Sequence, residues 1–279
     1  MKSNSKFIFL ICSIYIVFLF TRYAFPETII TLKLRINDKI SLNASKEKYR
    51  LECVELYKKL RNPDTRYVFD PPVKQIPNEL MNEFTENGTV KIEYIYYNDL
   101  FKDSASNDKS KINRIITKND LDYWIGKVNR NEPLGYDDKE LRNIMFKMSS
   151  SLKNKTMAVI GTISVWVEAI SLAVGCSKIT TLDYTRNKYE QPQLEWKHVN
   201  DYYDEAIKNS VFETFDNAAS FSSLEHAGLG RFGDPLSPNG DIDAVKQVHC
   251  MLKKGGLFFL AIPVSLDDKY MISFNGGTK

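Results

Sequence analysis

One short segment of the chain collects several residue types that can do chemistry. Residues 222–241 contain the pair Glu225-His226 and, a few residues later, Arg231. Histidine titrates near neutral pH, so His226 is suited to act as a general base with Glu225 beside it. An arginine guanidinium binds carboxylates and phosphates through paired hydrogen bonds. Because long loops rich in Gly, Pro and Asp within a compact unit are either functional or disordered, we predict that this loop (the 222–241 loop) forms a site.

Each of these side chains also has a structural interpretation. Glu225 and His226 can form a hydrogen-bonded pair that fixes the loop. Arg231 can pair with Asp234 or Asp241 instead of holding a substrate. We therefore predict His226 and Glu225 as catalytic residues and assign Arg231 and Asp234 to the substrate or to the loop, with both interpretations open.

The loop lies in a stretch where predicted strands and helices alternate. Apolar segments predict four strands and a weaker fifth, at residues 156–161, 178–183, 215–221, 257–264 and 194–199. Helical patterns separate most of them, and Asp241 is predicted to cap the helix after the loop. Alternation of this kind is typical of a parallel sheet, which binds ligands at the carboxyl ends of its strands. The prediction for residues 135–279 is an α/β, Rossmann-like fold.

Two positions in this pattern predict where a cofactor binds. The first strand–helix turn contains Gly161 and Thr162, with one glycine rather than three, which argues against a dinucleotide phosphate loop. Asp183 ends the second strand, about 20 residues after Gly161, the separation expected of an acid that accepts hydrogen bonds from a ribose. A strand-terminal Asp that caps a turn is the structural alternative. Glu168, early in the first helix, either contacts the ligand or serves the helix dipole.

The combined motifs resemble a known group of enzymes. Ser-Leu-Glu-His-Ala, a loop, a helix, Met-Leu-Lys-Lys-Gly-Gly and an apolar strand ending in Pro resemble the second half of a class I S-adenosylmethionine-dependent methyltransferase domain. That resemblance implies S-adenosylmethionine as the cofactor, bound without a metal, and the residues predicted to contact it are Gly161, Thr162, Asp183 and Ser222.

More closely, the chain resembles the uncharacterised nematode family called domain of unknown function 268. The resemblance covers about residues 135–268 and rests on residues 159–161, 166–169, 181–184 and 222–241. It implies the methyltransferase-like fold and no established reaction. The family continues through further strands after Asp267, so we expect a sheet that is incomplete at the C-terminus or completed by strands from residues 26–135.

The N-terminus has the pattern of a targeting segment. Lys2 and Lys6 are followed by fourteen uncharged residues, 7–20, a length that suits a signal-peptide core and is short for a full membrane span. No small-residue cleavage site follows. We therefore favour an uncleaved signal anchor over residues 1–25, which attaches the protein to the membrane, and expect a secreted protein if the signal is cleaved. Residues 26–134 are assigned to a stem and accessory region.

The three glycosylation sequons favour a lumenal location. They begin at Asn43, Asn87 and Asn154, and each is an N-glycosylation acceptor if the chain enters the endoplasmic reticulum or Golgi. Outside the anchor segment, Cys53, Cys176 and Cys250 form an odd set without Cys-x-x-Cys spacing. This spacing argues against a zinc site and against a disulfide scaffold, and Cys176 and Cys250, which fall inside the α/β unit, are expected to be buried thiols.

Composition limits the function classes. The 38 basic and 35 acidic residues nearly balance, which argues against a nucleic-acid partner. The leading hypothesis is methyl transfer to a small-molecule, glycan or protein acceptor that the sequence does not identify. The alternative is a non-catalytic secretory-pathway protein that retains only the fold. A glycosyltransferase is disfavoured, because Asp241-Ile242-Asp243 matches the Asp-x-Asp metal motif but sits at a predicted helix start.

Overall fold

The computed structural model describes residues 6–13, 15–20, 30–33, 42–61, 73–95, 114–135, 138–162, 164–184, 187–232, 234–264 and 271–274. Its strands are β1 (Lys6–Ser13), β2 (Tyr15–Phe20), β3 (Ile30–Lys33), β4 (Lys91–Tyr94), β5 (Arg114–Ile116), β6 (Thr156–Ile160), β7 (Lys178–Asp183), β8 (Asn187–Tyr189), β9 (Leu194–His198), β10 (Phe215–Phe221), β11 (Leu252–Val264) and β12 (Met271–Phe274). Its helices are α1 (Leu42–Leu60), α2 (Asn78–Phe84), α3 (Lys118–Asn129), α4 (Lys139–Lys147), α5 (Ser149–Leu152), α6 (Trp166–Ala173), α7 (Val199–Asn209) and α8 (Gly240–Met251). A 3-10 helix, Leu224–His226, follows β10.

Five parallel strands form the centre of the molecule. Their order is β11-β10-β6-β7-β9, and every neighbouring pair among them is parallel. This arrangement confirms the predicted α/β fold with a mostly parallel sheet and is consistent with a Rossmann-like topology. All five predicted strands are present, four of them within one residue of their expected bounds, whereas β11 begins at Leu252, five residues before its predicted start.

Alternating side chains of these strands bury both faces of the sheet. Met157 and Val159 of β6 pack on one face with α3, α4 and α6, whereas Ala158 and Ile160 pack on the other with α1, α7 and α8. Successive strand residues point to opposite faces, so helices on both sides require apolar residues at nearly every strand position. This double burial explains why these strands read as continuous apolar segments in the sequence.

A third, smaller cluster joins the accessory region to the 222–241 loop. It consists of Phe84 of α2, Ile76, the paired strands β4 and β12, and Leu229 of the loop, which is fully buried. The loop is therefore held from outside the parallel sheet. The sequence left open an incomplete sheet or one completed from residues 26–135. In the structure the outer edge of β11 pairs with β1, and β2 and β3 continue the sheet beyond it, whereas β12 pairs with β4 in a separate sheet.

The segment predicted as a membrane anchor contains strands where the structure describes it. β1 pairs antiparallel with β11 and with β2, and β2 pairs with β3. Within the described ranges, no helix combines the length and the apolar character that a membrane crossing requires. The anchor over residues 1–25 stays a prediction of the sequence.

A disulfide corrects the expectation of buried thiols. Cys53 of α1 and Cys250 of α8 are bonded, with their Cα atoms 5.8 Å apart, whereas Cys176 is buried and free. Pairing depends on the proximity of two cysteines in the fold, and spacing along the sequence does not report it. The bond joins the accessory region to the α/β domain.

Helix α8 also begins two residues earlier than predicted. Asn239 precedes it and Gly240 is its first residue, so Asp241 lies in the first turn rather than at the cap. A carboxylate in the first turn still interacts favourably with the helix dipole.

Candidate functional site

A cavity of about 930 Å³ opens at the carboxyl end of the parallel sheet. Its wall is made by the turns after β6, β7 and β10, by the 222–241 loop, by α8 and by the end of α1. The volume lies in the range of small-molecule and cofactor sites. All the predicted cofactor and loop residues except Glu225 lie on this wall, namely Gly161, Thr162, Asp183, Ser222, His226, Arg231 and Asp234.

Asp183 connects two of the turns that form the wall. Its Oδ2 accepts a hydrogen bond of 2.9 Å from the backbone N–H of Thr162. Gly161 has φ +66°, and a Cβ atom there would lie 1.8 Å from Oγ of Ser223. The single glycine of this turn is thus required by the close packing of the β10 turn against it.

Ser222, Glu225 and His226 meet at the end of β10. Ser222 Oγ donates a 2.6 Å hydrogen bond to Glu225 Oε1, and His226 Nε2 lies 3.9 Å from the same oxygen. Glu225 is buried behind the wall, and burial raises the pKa of its carboxyl to about 7, although the hydrogen bond from Ser222 acts in the opposite direction. The structure therefore brings the two predicted catalytic residues together, with His226 on the wall and Glu225 behind it.

Asp234 organises the loop by accepting hydrogen bonds from the backbone. Its Oδ2 accepts from the N–H groups of Gly228 and Gly230, at 2.7 and 3.0 Å, and its Oδ1 accepts from Phe232 at 3.2 Å. Burial raises the pKa of this carboxyl, and the three backbone hydrogen bonds oppose that rise. These contacts favour the structural interpretation of Asp234.

Two glycines let the loop return against the start of α8. A Cβ atom on Gly228, which has φ +87°, would lie 2.2 Å from the carbonyl oxygen of Ser237. A Cβ atom on Gly240 would lie 2.4 Å from the Cα of Gly228. Any larger residue at either position would force the two ends of the loop apart.

Arg231 and two aromatic rings cover one side of the cavity. The guanidinium carbon of Arg231 lies 4.9 Å from the centre of the Phe232 ring. That ring in turn meets the His226 imidazole edge to face, with centroids 5.3 Å apart. Packing of this kind restricts the orientation of His226 and keeps the Arg231 charge at the cavity wall.

Helix α1 supplies wall residues that the sequence did not predict. Lys59 and Leu60 line the cavity, and Lys59 Nζ donates a 2.5 Å hydrogen bond to Asp243 Oδ2 at the start of α8. Tyr203 of α7 donates a hydrogen bond to Gln247 of α8 on the same side. No local signal in the sequence relates α1 to a helix almost 200 residues later in the chain.

Glu168 lies away from the cavity wall. It is fully buried, and its Oε1 accepts a 2.7 Å hydrogen bond from Thr181 Oγ1 and a longer one from the Tyr189 hydroxyl. Burial raises the pKa of the carboxyl to about 7. Its position favours a structural role over ligand contact.

The Asp-x-Asp sequence does not form a metal site in the part of the chain that the structure describes. Asp243 accepts hydrogen bonds from Lys59 and Lys246, so two ammonium groups already surround it. Among the described residues, no group of three or more His, Cys, Asp or Glu side chains is placed to hold a metal ion.

Two of the three sequons lie in exposed turns. Asn87 follows α2 with φ 56°, and Asn154 precedes β6 with φ 60°, and both side chains are exposed. Asn43 lies in the first turn of α1, and its side chain is outside the described set.

The fold and the cavity define an α/β protein with a mostly parallel sheet and a ligand-sized site at the carboxyl ends of its strands. Residues 154–276 match the family model described as Caenorhabditis protein of unknown function, DUF268. This match confirms the family resemblance predicted from the sequence and includes all five parallel strands and the 222–241 loop. The comparisons with curated proteins and with solved structures gave no match.

Proposed function

We propose that the cavity binds S-adenosylmethionine and that the domain transfers a methyl group from it to an acceptor. One observation carries this proposal. A carboxylate, Asp183, ends the second strand of a parallel sheet on the wall of a cofactor-sized cavity, next to a turn with a single glycine. This arrangement suits a nucleoside without a pyrophosphate, because a dinucleotide loop requires more glycines.

The residues at this position fit a ribose. A carboxylate has about four acceptor sites, so one group can accept hydrogen bonds from the hydroxyls of a ribose as well as the one from the Thr162 N–H. The same hydrogen bond fixes the carboxylate against the β6–α6 turn. A fixed acceptor loses less entropy on binding than a mobile one, which favours affinity.

Methyl transfer needs little chemistry from the protein. The bound cofactor supplies an electrophilic methyl group, and the chain has to place the acceptor in line with it and exclude water. His226 and Glu225 are the predicted catalytic residues, of which His226 lies on the wall, and Arg231 is placed to bind an anionic part of the acceptor. The acceptor class, whether small molecule, glycan or protein, belongs to the proposal.

Calorimetry with S-adenosylmethionine and with its demethylated product tests the proposal. We expect binding by the full chain, and Asp183→Ala should weaken it by roughly 10- to 100-fold, since charge-assisted hydrogen bonds to the ribose are lost. Asp122→Ala is the matched control, because Asp122 is an exposed carboxylate on α3 that pairs with Lys118 outside the cavity wall. No heat and no thermal shift at millimolar ligand would contradict the proposal.

A second function is favoured by the disulfide. Disulfides persist in oxidising compartments such as the endoplasmic reticulum lumen, whereas S-adenosylmethionine is made in the cytosol and would need transport. The second candidate is therefore a lumenal protein that binds a small molecule in the same cavity without catalysis. It predicts an intact fold that gives no heat with either cofactor form.

We also propose that the domain faces the lumen of the secretory pathway. The Cys53–Cys250 disulfide and the exposed positions of Asn87 and Asn154 support this location. Membrane attachment through residues 7–20 rests on the sequence alone.

A further inference from the structure

The turn after β10 holds a serine in a strained backbone conformation and places its hydroxyl at the cavity wall. Ser222 has φ +48°, in the left-handed region that non-glycine residues rarely adopt. Its backbone N–H donates to the carbonyl of Ala261 on β11 at 2.8 Å, so the strand pairing holds the conformation. Strain of this kind is kept where the surrounding structure over-determines it, and it is common at functional sites.

A buried carboxyl faces that hydroxyl from the interior. Ser222 Oγ donates to Glu225 Oε1 at 2.6 Å, within the distance that links a hydroxyl to its base. Glu225 is only 6% exposed, and its Oε2 has no hydrogen-bond partner among the described residues. The carboxyl thus reaches the cavity through Ser222.

Few charges act on this carboxyl from the elements that pack against it. Nε2 of His226, in the same 3-10 helix, lies 3.9 Å from Glu225 Oε1. On α8, Asp243 is paired with Lys59 and Lys246, and on β11, Lys253 is paired with Asp216. Burial raises the pKa of Glu225 to about 7, so the group can change its protonation state near neutral pH.

We propose that Ser222 and Glu225 form a proton relay that takes the proton from the group being methylated. The proposal rests on the proposed function. The acceptor oxygen gives its proton to Ser222 Oγ, and Ser222 gives its own proton to Glu225 Oε1. The acceptor lone pair forms the bond to the methyl carbon, while the carbon–sulfur bond of the donor breaks and its electron pair stays on sulfur.

The relay identifies the class of acceptor. A hydroxyl must lose a proton as it becomes an ether, so it benefits from a base placed behind Ser222. A carboxylate or a thiolate attacks without losing a proton and needs no relay. The geometry therefore favours an acceptor that presents a neutral hydroxyl to Ser222, and Glu225 acts through Ser222 as a positioning residue.

A fluorophosphonate probe tests the relay without any knowledge of the acceptor. Ser222 Oγ forms a bond to phosphorus, fluoride leaves, and the hydroxyl proton passes to Glu225. We expect a single adduct that peptide mapping places on Ser222. Its rate of formation should rise with pH around a midpoint near 7, as Glu225 ionises. Glu225→Gln should slow labelling by roughly 100-fold or more and abolish this pH dependence, because the amide cannot accept the proton.

A control variant and the outcomes that would contradict the relay complete the experiment. Glu195→Gln is the control, because Glu195 is a carboxylate on β9 that pairs with Lys178 and Lys197, and it should label like the wild type. No adduct on Ser222 of the wild-type chain, or a rate that is independent of pH and of Glu225→Gln, would overturn the relay. Cofactor binding without labelling refutes the relay alone, whereas labelling without cofactor binding refutes the methyltransferase.

Discussion

Four carboxyl groups in and around the site have different environments, and the environment separates their roles. Asp183 accepts a hydrogen bond from one backbone N–H at the cavity wall, and Asp234 accepts three from backbone N–H groups within the loop. Glu225 accepts a hydrogen bond from the hydroxyl of Ser222. Glu168 of α6 is buried and accepts a hydrogen bond from Thr181. The sequence predicted that the first three belong to one region, but their separate partners depend on how the turns after three different strands meet.

Glu168 gives a pH dependence of stability. Burial raises its folded-state pKa from 4.5 to about 7, so the folded protein holds a proton that the unfolded chain releases. Stability should therefore fall as the pH rises from about 4.5 to about 7, by up to roughly 3 kcal/mol for this group. Glu168→Gln removes the ionisable group while an amide oxygen can still accept from Thr181. We expect this variant to be more stable than the wild type above pH 7, as measured by urea unfolding.

The pH dependence of stability needs a second variant, because burial raises the pKa of Glu225 as it raises that of Glu168. Glu168→Gln should remove part of the stability change between pH 5 and 8, and Glu168→Gln combined with Glu225→Gln should remove more of it, while Asp234, whose pKa burial also raises, can contribute to the remainder. Glu190→Gln, at a carboxyl in the turn after β8, is the control. An unchanged pH profile in Glu168→Gln would show that this carboxyl is ionised in the folded protein at neutral pH.

Among the elements, the buried strands were predicted best. Strands covered by helices on both faces read as apolar segments, and the sheet order brings their carboxyl ends to one edge. This is why Gly161, Asp183 and Ser222 could be placed in one site from the sequence alone. The 222–241 loop was located for the same reason, since it directly follows β10.

The elements that were missed either have weak local signals or depend on distant contacts. Helix α7 buries Val199, Tyr202, Tyr203 and Ala206 at helical spacing, so its pattern was present and overlooked. Strands β5 and β8 have three residues each and exist through their mutual pairing. The contribution of α1 to the cavity depends on packing against α8, which no local pattern encodes.

The disulfide between α1 and α8 should contribute substantially to stability. Removing it as Cys53→Ala with Cys250→Ala releases a constraint between residues 197 positions apart, and we expect a loss of about 2–5 kcal/mol. Reduction of the wild-type protein should lower its melting temperature in the same direction. Cys176→Ala, which removes the buried free thiol, is the control for a lost buried side chain. Equal melting temperatures of reduced and oxidised protein would contradict a stabilising bond.

On the scale of the whole molecule, the accessory region is packed against the α/β domain. Tyr57 of α1 is fully buried between Tyr202, Tyr203 and Phe212. Further along, α2 and β4 bury Leu229 of the 222–241 loop in the third cluster. The described parts of residues 42–95 thus form one wall of the site and the support of its loop.

Glycosylation tests the proposed lumenal location. When the full chain is expressed in animal cells, we expect Asn87 and Asn154 to be modified, because both lie in exposed turns that an oligosaccharyltransferase can reach. Asn87→Gln and Asn154→Gln should each remove one glycan, seen as a mobility shift that glycosidase treatment also produces in the wild type. Asn131→Gln changes an asparagine outside any sequon and should leave the mobility unchanged. Unmodified Asn87 and Asn154, with Cys53 reactive toward alkylation before reduction, would place the domain in the cytosol.

The Cys53–Cys250 bond also sets an order of events during biosynthesis. Cys53 leaves the ribosome 197 residues before Cys250, a delay of roughly 10–40 s at ordinary rates of chain elongation. During that interval α1 has neither its disulfide partner nor the helix on which it packs, and its apolar face has no α8 to cover it. The cavity wall can therefore close only after almost the whole α/β domain has been synthesised, which makes the first helix of the site the last to be fixed.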